Sequence, residues 1–129
     1  MDSLCPKSFQ VRNNVSAFSR DLNLLVFINA NGLLEAYDVL KKEMPWPPYR
    51  LEDGRVVTSM AVSPDAAVLA VGDTSGRILF FDGGTGQPLG EIVANFGSLQ
   101  AIEFSDDGTK IAAAGTDGVV RIFGIVEVK

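Results

Sequence analysis

At 129 residues, with a formal charge of −5 and no histidine, the chain is long enough for one domain that buries about two thirds of its surface. Its few, scattered lysines and arginines cannot present the basic face that nucleic acid or an anionic membrane requires. The missing imidazoles exclude histidine-based triads, ligation and acid–base work within this chain.

The opening stretch MDSLCPKSFQ is polar and lacks the apolar core of a signal peptide. Its Cys5 has no second cysteine to pair with, which fits a reducing compartment and makes a cytoplasmic protein the expectation. Ser8–Arg12 alternates with period two and reads as a short strand. Val15–Ser19 and Leu24–Asn29 follow as strands. Asn31-Gly32 then turns the chain into Leu33–Val39, and the Asn-Gly pair predicts a type I′ hairpin. Pro45, Pro47 and Pro48 make Leu40–Leu51 an outer connection or an edge strand at most.

The pattern then restarts with Val57–Ser63, Val68–Gly72, Arg77–Asp82 and Leu89–Ala94. A third round supplies Leu99–Ser105, Lys110–Thr116 and Val119–Ile125, leaving only Val126–Lys129 for a fourth strand. Runs this short, cut by Gly, Asp and Asn, carry no helical stripe. No apolar run approaches the ~20 residues of a membrane span, so no insertion by this segment is expected.

The rounds are periodic. Ser19, Ser63 and Ser105 stand 44 and 42 residues apart, and Gly32, Gly76 and Gly118 repeat the same steps. Four strand-sized pieces in a period of ~40–45 residues mark the blade of a β-propeller, whose neighbours stack around an axis. Arg77–Asp82 (RILFFD) is apolar nearly throughout, as a strand covered on both faces requires. The expected fold is therefore all-β, a single domain of three blades at about 13–54, 55–96 and 97–129. Residues 1–12 form a leader and a candidate closing strand. Three blades leave a ring open, so the chain is a fragment, is completed by another chain, or joins a second copy head to tail.

SPDAAVLAVGDTSGRILFFD (Ser63–Asp82) and SDDGTKIAAAGTDGVVRIF (Ser105–Phe123) resemble the WD-repeat propeller family, and SRDLNLLVFINANGLLEAYD (Ser19–Asp38) is a more diverged copy. The family's aromatic-acidic pair stands here as Tyr37-Asp38, Phe81-Asp82 and Phe123-Gly124, never with tryptophan. Its Gly-His pair is absent, so its His–Asp–Ser–Trp network cannot form and apolar stacking is expected to hold the blades. Of its turn aspartates only Asp117 matches directly, with Asn31 and Ser75 in the equivalent places.

The resemblance implies a non-catalytic protein–protein interaction scaffold. Narrower alternatives are a regulatory propeller like the membrane-trafficking exchange factors, which have comparable Gly-Thr-Asp-Gly-x-Val-Arg turns, and a propeller enzyme. No catalytic, cofactor-binding or metal residue is assigned. The pairs Glu52-Asp53 and Asp106-Asp107 sit in turns, where neighbouring carboxylates diverge. Gly83–Gln87 (GGTGQ) lacks the Lys-Ser/Thr ending of a phosphate loop. Other proteins are the expected partners. The candidate protein-binding residues are Trp46, Tyr49 and Arg50, with Trp46 read either as an exposed aromatic anchor or, in preference, as an outer-strand residue packed on the edge of its own blade.

Overall fold

The computed structural model describes residues 11–51, 56–93 and 97–124. They form three antiparallel sheets, each running in sequence order from its inner strand outward. The first holds β1 (Val11–Phe18), β2 (Leu24–Asn29), β3 (Leu33–Asp38) and β4 (Tyr49–Arg50). The second holds β5 (Val57–Val62), β6 (Val68–Asp73), β7 (Arg77–Asp82) and β8 (Pro88–Val93). The third has β9 (Leu99–Phe104), β10 (Lys110–Gly115) and β11 (Val120–Gly124). β4 is two residues long, because the prolines before it cannot donate to a ladder. β1, β5 and β9 lie against one another in turn, so the sheets stack face to face around their inner strands and do not close a ring.

Two expectations are corrected. Val11 and Arg12 belong to no separate strand; they open β1, where Val11 pairs with Asn29 across a bulge. Residues 8–10, and with them the suggested closing strand, lie outside the described residues, as does Cys5. The second correction concerns the turn at Asn31-Gly32. Gly32 has φ 80°, but Asn31 is not in the left-handed region, and the Gly32 amide donates to the Asn29 carbonyl at 2.9 Å. This is a three-residue connection ending in a left-handed glycine, the alternative to the two-residue type I′ loop. Gly76 repeats it at φ 84°, and Gly118 takes the same left-handed place at φ 80° in a connection one residue longer.

The middle sheet explains the apolar strands. Leu69 and Val71 of β6 and Leu79 and Phe81 of β7 enter a core shared with Val26, Ile28, Leu34 and Ala36 of the first sheet. The alternate residues Ala70, Ile78 and Phe80 enter a second core with Leu99, Ile102, Ile111 and Ala113 of the third. Period-two geometry thus divides two consecutive strands between two cores.

The second core is closed by a glycine. A Cβ on Gly72 would lie 2.6 Å from Ser59 Oγ and 2.7 Å from both Leu99 Cδ1 and Ile102 Cδ1. Ser59 Oγ is buried without a hydrogen-bond partner among the described residues. Gly72→Ala is expected to overpack this seam and cost about 1–3 kcal/mol. Ser59→Ala, which removes an unpaired buried hydroxyl, should be neutral or stabilising by about 1 kcal/mol. Urea unfolding of the two variants checks both signs.

Candidate interaction surface

Of the three candidate residues on the connection after β3, Trp46 and Tyr49 reach the second sheet, so Trp46 packs on the neighbouring blade and not on its own as expected. Trp46 is only 5% exposed, and its Nε1–H donates to the Gly83 carbonyl at 3.1 Å. Its ring lies where a Cβ on Gly86 would be, 2.6 Å from Trp46 Cδ2. Tyr49 packs edge-on against Phe81 with ring centroids 5.1 Å apart. Trp46 and Tyr49 are thus spent on clamping the first sheet to the second. Arg50 stays exposed, with its backbone paired to Leu33.

Three equivalent turns join the first and second strands of the sheets. In each, a serine hydroxyl donates to the aspartate two residues on: Ser19 to Asp21 at 2.6 Å, Ser63 to Asp65 at 2.7 Å and Ser105 to Asp107 at 2.8 Å. The same oxygens accept the amides of Leu24, Val68 and Lys110 at 2.9, 3.0 and 3.0 Å. Each aspartate also accepts the amide two residues further, from Asn23, Ala67 and Thr109, at 3.0 Å. The serines recur because one hydroxyl donates and accepts at once, satisfying a turn whose next residue, Leu22, Ala66 or Gly108, has φ 63°, 61° or 73°. Arg20 Nη2 crosses from the first turn to Asp106 of the third at 2.8 Å. Beside these turns lies an open hollow of about 380 Å³ at the inner-strand ends, lined by Phe18, Arg20, Pro64, Ile102, Glu103 and Phe104 among others.

The carboxylates of these turns are committed to local hydrogen bonds. The Thr109 amide and hydroxyl and the Ser105 hydroxyl hold Asp107 down at about 2. Asp21 and Asp65 are lowered likewise by their serine and amide donors. Asp117 is lowered by the Val119 amide and by Arg121, whose Nη1 lies 3.0 Å from Oδ2. Asp106 and Asp107 diverge, one to Arg20 and the other into its own turn, while Glu52-Asp53 lies outside the described residues. In GGTGQ the amides of Gly84 and Thr85 are taken by Asp82 Oδ1 at 2.8 and 3.0 Å. Among the described residues no cluster of Cys, Asp or Glu could hold a metal ion, and no helix is long and apolar enough to cross a membrane.

Sequence reasoning missed two sets of residues. In the first two sheets the turn between second and third strands is capped from its first position. Asn29 Oδ1 accepts the amides of Asn31 and Leu33 at 2.8 and 3.0 Å, and the buried Asp73 accepts those of Ser75 and Arg77 at 2.9 and 3.1 Å. The third turn has Gly115 there, and Asp117 takes over by accepting the Val119 amide at 3.0 Å. An Asx residue three before Gly32 and Gly76 was the available signal in the first two turns. The second set is the exposed group Leu22, Val39, Leu40 and Met44 on the first sheet, which only the turn alignment picks out.

Stacked antiparallel meanders sharing a line of inner strands define an incomplete β-propeller. The chain belongs to the WD domain, G-beta repeat family, whose sequence pattern matches residues 48–82 and 86–124, more than half of the chain. It is similar to WD repeat-containing protein 1 of Xenopus tropicalis, at 29% identity over 87 residues. The proteins of that name from Mus musculus and Bos taurus are each 31% identical over the same length. Each alignment covers 61% of this chain and 14% of the relative, so the chain spans a small part of those proteins.

Trp46→Ala is expected to cost about 3–5 kcal/mol by emptying the clamp, and Trp46→Phe about 1 kcal/mol through the lost hydrogen bond. Because Trp46 is the only tryptophan, its fluorescence during wild-type unfolding should report separation of the first two sheets. A depressed folded-state carboxylate stabilises fully above its unfolded value and loses that contribution as pH falls through its folded value. Asp107 should therefore withdraw its contribution between about 3.8 and about 2. Melting curves over that window should fall less steeply for Asp107→Asn than for the wild type.

Proposed function

We propose that the chain is a non-catalytic scaffold for protein–protein interaction, a run of propeller blades whose ring is completed by blades outside this segment. The observation that carries the reading is the outer face of the third sheet. Ala101, Glu103, Ala112, Ala114, Val120 and Ile122 face away from the second core, with Val120 and Ile122 exposed at 65% and 69%. The matching face of the middle sheet, Ala61, Ala70, Ile78 and Phe80, is covered by its neighbour. A sheet face of this kind left in water favours association.

A second copy, another chain or a longer parent could each supply the cover, and head-to-tail pairing of two copies is the version that this chain alone can perform. The engagement of the turn carboxylates by backbone and serine donors supports a role without acid–base chemistry. A cytoplasmic setting goes with the reading, on the single cysteine. The narrower reading as part of a regulatory propeller of membrane trafficking rests on Gly115–Arg121 alone.

Light scattering tests the proposal. The wild-type chain is expected to show a mass above that of one chain, rising with concentration, and Ile122→Lys should shift it toward the single chain. A single-chain mass at every concentration, with cooperative unfolding, would overturn the ring-completion part.

A further inference from the structure

The three turns between second and third strands carry Asn31-Gly32, Ser75-Gly76 and Asp117-Gly118 at the same place, each with a left-handed glycine. The residues ahead of those glycines differ in chemistry. The Ser75 hydroxyl donates to Asp73 at 2.7 Å and has no carbonyl carbon to offer. Asp117 is engaged as a carboxylate, accepting the Val119 amide at 3.0 Å through Oδ1 while Oδ2 lies 3.0 Å from Arg121 Nη1. Asn31 is exposed, and its carboxamide makes no hydrogen bond among the described residues.

A free carboxamide ahead of a glycine is an electrophile beside its own nucleophile. The main-chain nitrogen of the next residue can close a ring on the side-chain carbonyl carbon, and only glycine has no Cβ to obstruct that approach. Asn13, Asn14, Asn23, Asn29 and Asn95 precede Asn, Val, Leu, Ala and Phe, whereas Asn31 precedes glycine. The Asp-Gly pairs at Asp82, Asp107 and Asp117 are held as carboxylates by the Thr85, Thr109 and Val119 amides at 3.0 Å. An ionised carboxylate does not part with its oxygen as a carboxamide parts with ammonia.

The same turn carries a guard. The Gly32 nitrogen, which must swing onto Asn31, has its hydrogen on the Asn29 carbonyl at 2.9 Å. Asn29 Oδ1 accepts the amides on either side of it, from Asn31 and Leu33, at 2.8 and 3.0 Å. The Asn29 carboxamide is itself fixed by its Nδ2, which donates to Glu35 Oε2 at 2.7 Å. Ring closure therefore waits on opening of the turn, a local event that exposed connections undergo at less than the free energy of global unfolding.

We propose that Asn31-Gly32 is a site of spontaneous modification whose rate Asn29 sets. The Gly32 nitrogen bonds to the Asn31 side-chain carbonyl carbon, the carboxamide carbon–nitrogen bond breaks, and the Gly32 proton leaves with the departing ammonia. Water then opens the succinimide. Attack at the side-chain carbonyl restores the main chain with aspartate in place of Asn31, as the third turn already has in Asp117. Attack at the main-chain carbonyl leaves isoaspartate, which routes the chain through an extra carbon. That carbon falls in the turn that closes the Ile28–Leu34 pair, and both side chains are buried in the core shared with the second sheet. The seam that Trp46 clamps therefore loosens with the age of the chain.

The test ages the full chain in mildly alkaline buffer and maps its peptides by mass spectrometry. An isoaspartate-specific carboxyl methyltransferase with a labelled methyl donor gives a second readout. Amide-to-acid conversion is expected at Asn31 ahead of every other asparagine, with methyl label in the same peptide. Asn29→Ala, read below its melting temperature, should convert about fivefold faster or more, the factor that losing a hydrogen bond gives an opening equilibrium. The urea-unfolded chain should convert at least as fast as that variant. Asn31→Ser, which copies the second turn, should abolish both signals. The aged chain should lose its Trp46 fluorescence at lower urea than the fresh one, whereas freshly prepared Asn31→Asp should unfold with the wild type. No conversion at Asn31, earlier conversion at another asparagine, or an Asn29→Ala rate equal to that of the wild type would overturn the proposal. Identical unfolding of aged and fresh chains would overturn its consequence for the clamped seam.

Discussion

The middle sheet is covered on both faces, and much of the rest of the structure follows from that constraint. A sheet covered on both sides has no solvent face on which to place polar residues, which is why β6 and β7 are apolar at consecutive positions. Leu69 and Val71 serve one core while Ala70 and the space above Gly72 serve the other. The two seams are not alike. The first is filled by large residues from both sides and finished by Trp46 and Tyr49. The second sets Ala61, Ala70 and Gly72 of the two inner strands of the middle sheet against Leu99, Ile102 and Ile111, with Ile78 and Phe80 of β7 beside them. Small against large lets the sheets approach closely, and it makes the second seam the one that tolerates added volume least.

With apolar stacking holding the sheets together, polar side chains are free to organise the turns. The Ser-x-Asp turn is a closed hydrogen-bond unit that repeats with distances differing by at most 0.2 Å for the serine–aspartate bond. Its backbone tolerates leucine, alanine or glycine at the left-handed position, so the polar frame, and not that residue, sets its geometry. The frame stays charged to low pH because every donor favours the carboxylate form. Propeller blades of the usual kind add a buried histidine network to such turns. Without histidine, this chain relies on the tryptophan clamp between its first two sheets.

Strand positions and the repeat were legible because they are local and periodic: alternation, turn glycines and serines all sit in the sequence at fixed offsets. The interior turn type was not, since Asn31-Gly32 suits a two-residue loop until the Asn29 carboxamide is seen to hold a three-residue one. Trp46 was legible as a packing residue but not as to its target, because Gly83 and Gly86 lie some forty residues away and only the stacking of sheets brings them near. Val11–Arg12 read as a separate strand because Asn13 and Asn14 interrupt the apolar alternation. The ladder carries them past that interruption by a bulge. In each case the missing information was a contact between sheets or an irregularity in a ladder, neither of which leaves a period behind.

The two ends of the stack are chemically unequal, and this bears on what can meet them. The last sheet ends in alanine, valine and isoleucine on a flat face, with Glu103 where the middle sheet has buried Ala61. A covering sheet would follow the second seam's rule, offering large side chains to Ala112 and Ala114 and a polar group to Glu103. At the other end Phe27 is already buried, and a projecting corner begins. Leu22, Val39 and Lys42 replace the small residues that let one blade's tryptophan seat on the next. A second copy can therefore approach the third sheet's face by the packing already present inside the chain, but Val39 and Lys42 of its first sheet stand where Gly83 and Gly86 receive Trp46, so its surface offers no seat for a clamping indole. The first internal seam and any seam between copies would share their apolar stacking and differ in the lock, so the joint between copies should open before the seam that Trp46 clamps.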